Sequence, residues 1–70
     1  MGLAESVRIL LVMRKMTQKS LAEKIGVSQQ NLAAKLKRDN LSERDLHEIA
    51  AACDATFEGT FTLNDTGKEI

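Results

Sequence analysis

The 70-residue chain has no proline, tryptophan or tyrosine, one cysteine, four glycines and two aromatic residues, Phe57 and Phe61. With so few rings, its interior has to be built from Leu, Ile, Ala and Met, a composition that leans towards short helices. The lone Cys53 excludes an internal disulfide and points to a reducing, cytoplasmic setting. It reads as a small apolar core residue. The run Ile9 to Met13 is far shorter than the roughly 20 apolar residues a bilayer requires, and no small-residue cleavage site follows it. Neither a membrane span nor a signal peptide is expected.

Net charge is absent too: ten basic residues balance ten acidic ones. The balance conceals a division. From Arg14 to Arg38 the basic residues are Arg14, Lys15, Lys19, Lys24, Lys35, Lys37 and Arg38 against Glu23 alone, a net of +6. From Asp39 to Ile70, eight acids face only Arg44 and Lys68, a net of −6. Such a split suits one face for a polyanion and another turned away from it.

With 43% hydrophobic and 29% charged residues the composition is that of a folded soluble protein. A chain this short forms one domain and buries only about 60% of its unfolded surface. Linkers, repeats and low-complexity segments are missing, so residues 1–70 read as a single unit.

Residues 4 to 15 read as a first helix, with Val7, Leu10, Leu11 and Arg14 at helical spacing. Thr17 is a good N-cap for a second, whose apolar face is Leu21, Ala22 and Ile25 and whose end is Gly26. Ser28 caps a third, with Leu32 and Leu36 on its inner side and Gln30, Asn31, Ala34, Lys37 and Arg38 on the other. Ser42 opens a fourth in a capping-box spacing to Asp45, followed by Leu46, Ile49, Ala50 and Cys53 on one stripe.

After Asp54 the period becomes alternating. Phe57, Gly59, Phe61 and Leu63 point one way and Thr56, Glu58, Thr60 and Thr62 the other, which predicts one strand over 55–63. A turn follows at Asn64-Asp65-Thr66-Gly67, and Lys68-Glu69-Ile70 read as a short return strand or a tail.

Residues 17–36, TQKSLAEKIGVSQQNLAAKL, resemble the helix-turn-helix of the lambda-repressor/Cro (XRE) family. The small Ala22 stands where two helices cross closely, Gly26 where they turn, and Leu21, Ile25, Val27 and Leu32 where a wedge sets their angle. The resemblance spans about residues 5–54 and implies a mostly α fold: four helices of the lambda-repressor-like kind, here with one C-terminal β-strand. It implies further that the motif's second helix enters the major groove. Gln29 and Gln30 would then read base edges, an amide being able to bond the N6/N7 edge of adenine twice. Asn31 and Ala34 would lie beside them. Gln18 would bond a phosphate and brace Gln29, and Lys35, Lys37 and Arg38 would neutralise phosphates.

Two departures from the family pattern stand out. Lys35 occupies a place that is usually apolar, so Leu36 takes over the packing and a longer recognition helix is expected. Leu11 and Val12 stand where the family often has polar residues, so something must cover them.

A lone strand leaves its edge unpaired. Two-fold antiparallel pairing in a homodimer would cover Leu11, Val12, Phe57, Phe61 and Leu63; a local hairpin through Asn64 to Gly67 is the rival.

No nucleophile stands with a base, no glycine-rich loop cradles phosphate, and His47 lacks partners at metal-ligand spacing. An enzyme, a cofactor and a metal are therefore not expected, and Met13 and Met16 read as core filler. The reading is a cytoplasmic transcriptional regulator binding double-stranded DNA, a homodimeric repressor at a palindromic operator. The alternative is an adaptor or antitoxin-like module that offers its strand to another protein.

Overall fold

The computed structural model describes residues 2–70. Its elements run in the order α1 (Leu3–Met13), α2 (Gln18–Ile25), α3 (Gln29–Arg38), α4 (Glu43–Ala52), β1 (Ala55–Phe57) and β2 (Phe61–Leu63). Each helix contributes one apolar stripe to a single core: Val7, Leu10 and Leu11 from α1, Leu21 and Ala22 from α2, Leu32 and Leu36 from α3, and Leu46, Ile49 and Ala50 from α4. Among the described residues no polar side chain is buried. Burial of apolar surface is therefore the force that holds the helices together.

The helix starts follow the sequence closely. Thr17 and Ser20 form a reciprocal capping box on α2, and Ser42 and Asp45 form another on α4. Ser28 accepts from the Asn31 N–H at the start of α3. α1 is capped differently, because its N-cap is Gly2, which has no side chain to offer. Asp39, at the far end of α3, supplies the missing carboxylate by accepting from the Ala4 N–H at 3.0 Å.

Three helices end with a residue in the left-handed conformation and a backbone bond from the residue beyond it. Only one of those residues is glycine. Gly26 has φ 78°, and the next N–H, of Val27, donates to the Ala22 carbonyl at 3.0 Å. Lys15 (φ 56°) and Asp39 (φ 52°) do the same for α1 and α3. There the Met16 N–H donates to Leu11 at 2.9 Å and the Asn40 N–H to Lys35 at 2.9 Å.

The expectation of one strand over 55–63 is corrected. The segment folds back on itself at Glu58-Gly59-Thr60, with Gly59 at φ 78°, and pairs antiparallel as Ala55↔Leu63, Thr56↔Thr62 and Phe57↔Phe61. A three-residue loop keeps the side-chain parity across the turn. Ala55, Phe57, Phe61 and Leu63 thus all face the core. The return segment also forms: Thr62 bridges to Glu69, and the Ile70 N–H donates to the Phe61 carbonyl at 2.9 Å.

The proposed two-fold strand interface is corrected with it. Leu11, Phe57, Phe61 and Leu63 lie inside the protein's own core, with Phe61 wholly buried. The Phe57 and Phe61 rings, 5.0 Å apart, pack on each other rather than on a second chain. Of the five residues assigned to a dimer surface, Val12 alone remains outside, 76% exposed.

Arg14 belongs to the fold and not to an anion-binding face. Its guanidinium donates to the Cys53 carbonyl (2.8 Å), to the Asp54 carbonyl (2.9 Å) and to both oxygens of Asp65 (3.0 and 2.8 Å). One side chain thereby ties the end of α1 to the end of α4 and to the Asn64–Gly67 turn. Beside it the Asp65 carboxyl is held below the ordinary carboxylate range.

Two predictions follow from this packing. Phe61→Ala should lower unfolding stability by about 3–5 kcal/mol, by an amount independent of protein concentration in urea titrations, because the ring packs within one chain. Asp45 should govern part of the acid response. Its carboxyl sits below the ordinary value of 3.8, first because it accepts from the Ser42 N–H and then because Lys35 donates to it. A depressed carboxyl contributes stability above its unfolded pKa that is lost as pH falls through the folded one. The urea midpoint should therefore drop below about pH 4, and Asp45→Asn should be less stable at pH 7 while showing a shallower acid decline.

Candidate nucleic-acid interface

The site is built on α2 and α3. The tight left-handed ending at Gly26 reverses the chain within a few residues, and an added side chain there would be strained by its positive φ. Leu21, Ala22 and Leu32 are buried at the junction, while Ile25 and Val27 are half-buried against the same core. The near absence of side-chain volume at Ala22 lets the two helices approach. The wedge inferred from the motif is thus assembled.

Leu32 and Leu36 are the two buried residues of α3. With its inner side fixed by those two leucines, the helix turns Gln29, Gln30, Asn31, Ala34, Lys37 and Arg38 outward, and all six are exposed. Among the described residues no side-chain hydrogen bond occupies the amides of Gln29, Gln30 or Asn31. Their donors and acceptors face solvent, available to the edges of another molecule. At the start of the helix, the Ser28 hydroxyl satisfies the Asn31 N–H at 3.1 Å and holds the first turn in place.

The greater length expected of this helix is seen: α3 continues to Arg38 and closes at Asp39. Its end is tied to α1 from two directions. Asp39 caps α1, and Arg8 Nη2 donates to the Leu36 carbonyl at 3.4 Å. Lys37 and Arg38 therefore project from an anchored last turn, where cations are also favoured by the helix dipole.

One of the residues assigned to phosphate, Lys35, is held within the fold. Lys35 reaches α4, its Nζ 3.1 Å from Asp45 Oδ1, and is half-buried. The departure noted at this position has its explanation here, since an ion pair stands where the family packs an apolar side chain. Gln18, the first residue of α2, is half-buried, and among the described residues no hydrogen bond joins it to Gln29. The Thr17–Ser20 capping box already satisfies that helix end. The basic stretch is thus smaller as an open surface than as a count: Arg14 and Lys35 hold the fold, while Lys15, Lys19, Lys24, Lys37 and Arg38 are exposed.

Asp39 is the residue that sequence reasoning overlooked. It ends α3, caps α1 across 35 positions of chain and reverses the local charge next to Arg38. No local signal marks that long-range contact. Away from the site, His47 is exposed, its ring edge-on to Phe57 at 5.6 Å and its Nε2 3.7 Å from Glu43. No helix among the described residues is long and apolar enough to cross a membrane.

Residues 6–58 match the model of the Cro/C1-type HTH DNA-binding domain. A comparison with curated proteins and one with solved structures gave no match. The family is one of DNA-binding regulators rather than of enzymes. The matched segment takes in α2, the Gly26 turn and α3 together with the helices that brace them, and the chain belongs to the Cro/C1-type helix-turn-helix DNA-binding family.

Proposed function

We propose that the protein is a sequence-specific, double-stranded DNA-binding regulator of transcription that seats α3 in the major groove. Gln29 and Gln30 read base edges from the first turn, Asn31 and Ala34 lie against the groove beside them, and Lys37 and Arg38 neutralise phosphate at the far end. The observation that carries this reading is the outer face of α3, where three unengaged amide side chains precede two exposed cations on one anchored helix. An amide has the donor and acceptor that adenine presents in the major groove, whereas a cation holds phosphate without regard to sequence.

The mode of action is repression in the cytoplasm. A domain that covers its site obstructs polymerase by occupancy alone, and two copies related by a two-fold axis would read a palindrome with half-sites about 34 Å apart. Gln18 supports the complex from the start of α2, where its amide reaches the backbone of the duplex. Lys35 contributes little, because its ammonium is already held by Asp45.

Fluorescence anisotropy with a selected duplex and a scrambled one separates these roles. Gln30→Ala should weaken binding to the selected duplex by about 1–3 kcal/mol and leave the scrambled one unchanged. Lys37→Ala should weaken both and reduce the slope of log affinity against log salt by about one, whereas Lys35→Ala should leave that slope unaltered. Equal losses on both duplexes for Gln30 and Lys37 would defeat the assignment.

A further inference from the structure

The first turn of α1 borrows its cap from the far end of α3. Gly2, the N-cap, has no side chain, and Asp39 Oδ1 accepts from the Ala4 N–H at 3.0 Å in its place. Gly2 has φ −90° and ψ 153°, extended backbone that any residue adopts. What glycine supplies here is room. A Cβ on Gly2 would fall on the Asp39 carboxylate, meeting Cγ and both oxygens. Position 2 therefore decides whether Asp39 can reach α1 at all.

Asp39 has a second set of neighbours. It is the one acid between Ser28 and Ser42, and it stands next to Arg38, with Lys37 before that. Both cations are exposed, and among the described residues neither has an ionic partner. A carboxylate free to turn at this point interacts with both, since unscreened attraction reaches about 8 Å at physiological salt. The start of α1 competes for it with an unsatisfied N–H and the positive end of a helix dipole.

We propose that Asp39 is a positioning residue for phosphate binding, a latch whose capture by α1 leaves Lys37 and Arg38 unpaired. The inference rests on the DNA-binding reading above and adds a control on its charge. Latched, the carboxylate places its negative charge on the first turn of α1. Unlatched, it pairs with the adjacent Arg38 and removes one cation from the set that holds phosphate. Gly2 keeps the latch closed by leaving empty the space that the carboxylate fills.

Salt titrations of the full chain on a scrambled duplex test the latch without altering any residue assigned to DNA. Gly2→Ala should displace the carboxylate and reduce the steepness of log affinity against log salt by about one. Gly2→Ser should do the same while α1 stays capped, because the new hydroxyl accepts from the first turn; its helical circular dichroism and urea midpoint should match or exceed wild type. Adding Asp39→Asn to Gly2→Ser should return the salt dependence to the wild-type value, since the amide carries no charge and tolerates the left-handed backbone. The Ala4 amide reports the latch without DNA, and in Gly2→Ala its hydrogen exchange should quicken at least about tenfold. Unchanged salt dependence in both Gly2 variants, with the wild type binding the duplex, overturns the proposal. A loss of affinity that is equal at every salt concentration, or that Asp39→Asn does not repair, overturns it as well. A wild type that binds no duplex, with Ala4 exchange quickened as described, would instead defeat the DNA-binding reading and leave Asp39 as a cap of α1 alone.

Discussion

α3 is held in place by two leucines. Apart from Leu32 and Leu36 it consists of Gln, Asn, Ala, Lys and Arg, a composition with no tendency to bury itself. Ten residues of that kind form a marginal helix in water. What keeps them helical and correctly aimed is the docking of Leu32 and Leu36 into a core to which every other element contributes. The outward direction of Gln30 and Ala34 is a geometric consequence of the inward direction of those leucines. The direction of the outer face of α3 and the stability of the fold are therefore coupled through one helix.

That dependence explains the distribution of the remaining polar contacts. Ser28 secures the first turn of α3, the Lys35–Asp45 pair fastens its middle to α4, and Arg8 and Asp39 attach its last turn to α1. Surface ion pairs are individually weak, so these bonds act as restraints on orientation, with most of the stability supplied by the core. Arg14 performs a similar task for the C-terminal hairpin, bridging two backbone carbonyls and Asp65. The hairpin in turn contributes Phe61 to the core in which Cys53 is also buried.

Much of this was legible from local chemistry. Thr17, Ser28 and Ser42 are caps because their hydroxyls reach an N–H three residues on, and such bonds depend on nothing distant. Gly26 is marked by its lack of a side chain. Lys15 and Asp39, which terminate α1 and α3 in the same left-handed conformation, carry no such mark and were invisible. The hairpin was misread for a different reason. An odd-numbered loop preserves alternation, so a straight strand and a folded one present the same inside-outside pattern, and only Gly59 hinted at the bend. Lys35 reads as a phosphate contact, and Arg14 adds to the basic stretch, because charge in a sequence does not disclose its partner. Their acids, Asp65 and Asp45, lie 51 and 10 positions away.

The outward face of α3 is proposed as the surface that meets DNA. Backbone amide shifts followed by NMR during titration with a selected duplex test it most directly, since every residue reports separately. The largest changes should fall on Gln29, Gln30, Asn31, Ala34 and Arg38, with Ala55 to Leu63 unmoved. Changes centred on the hairpin or on α4, with α3 silent, would contradict it.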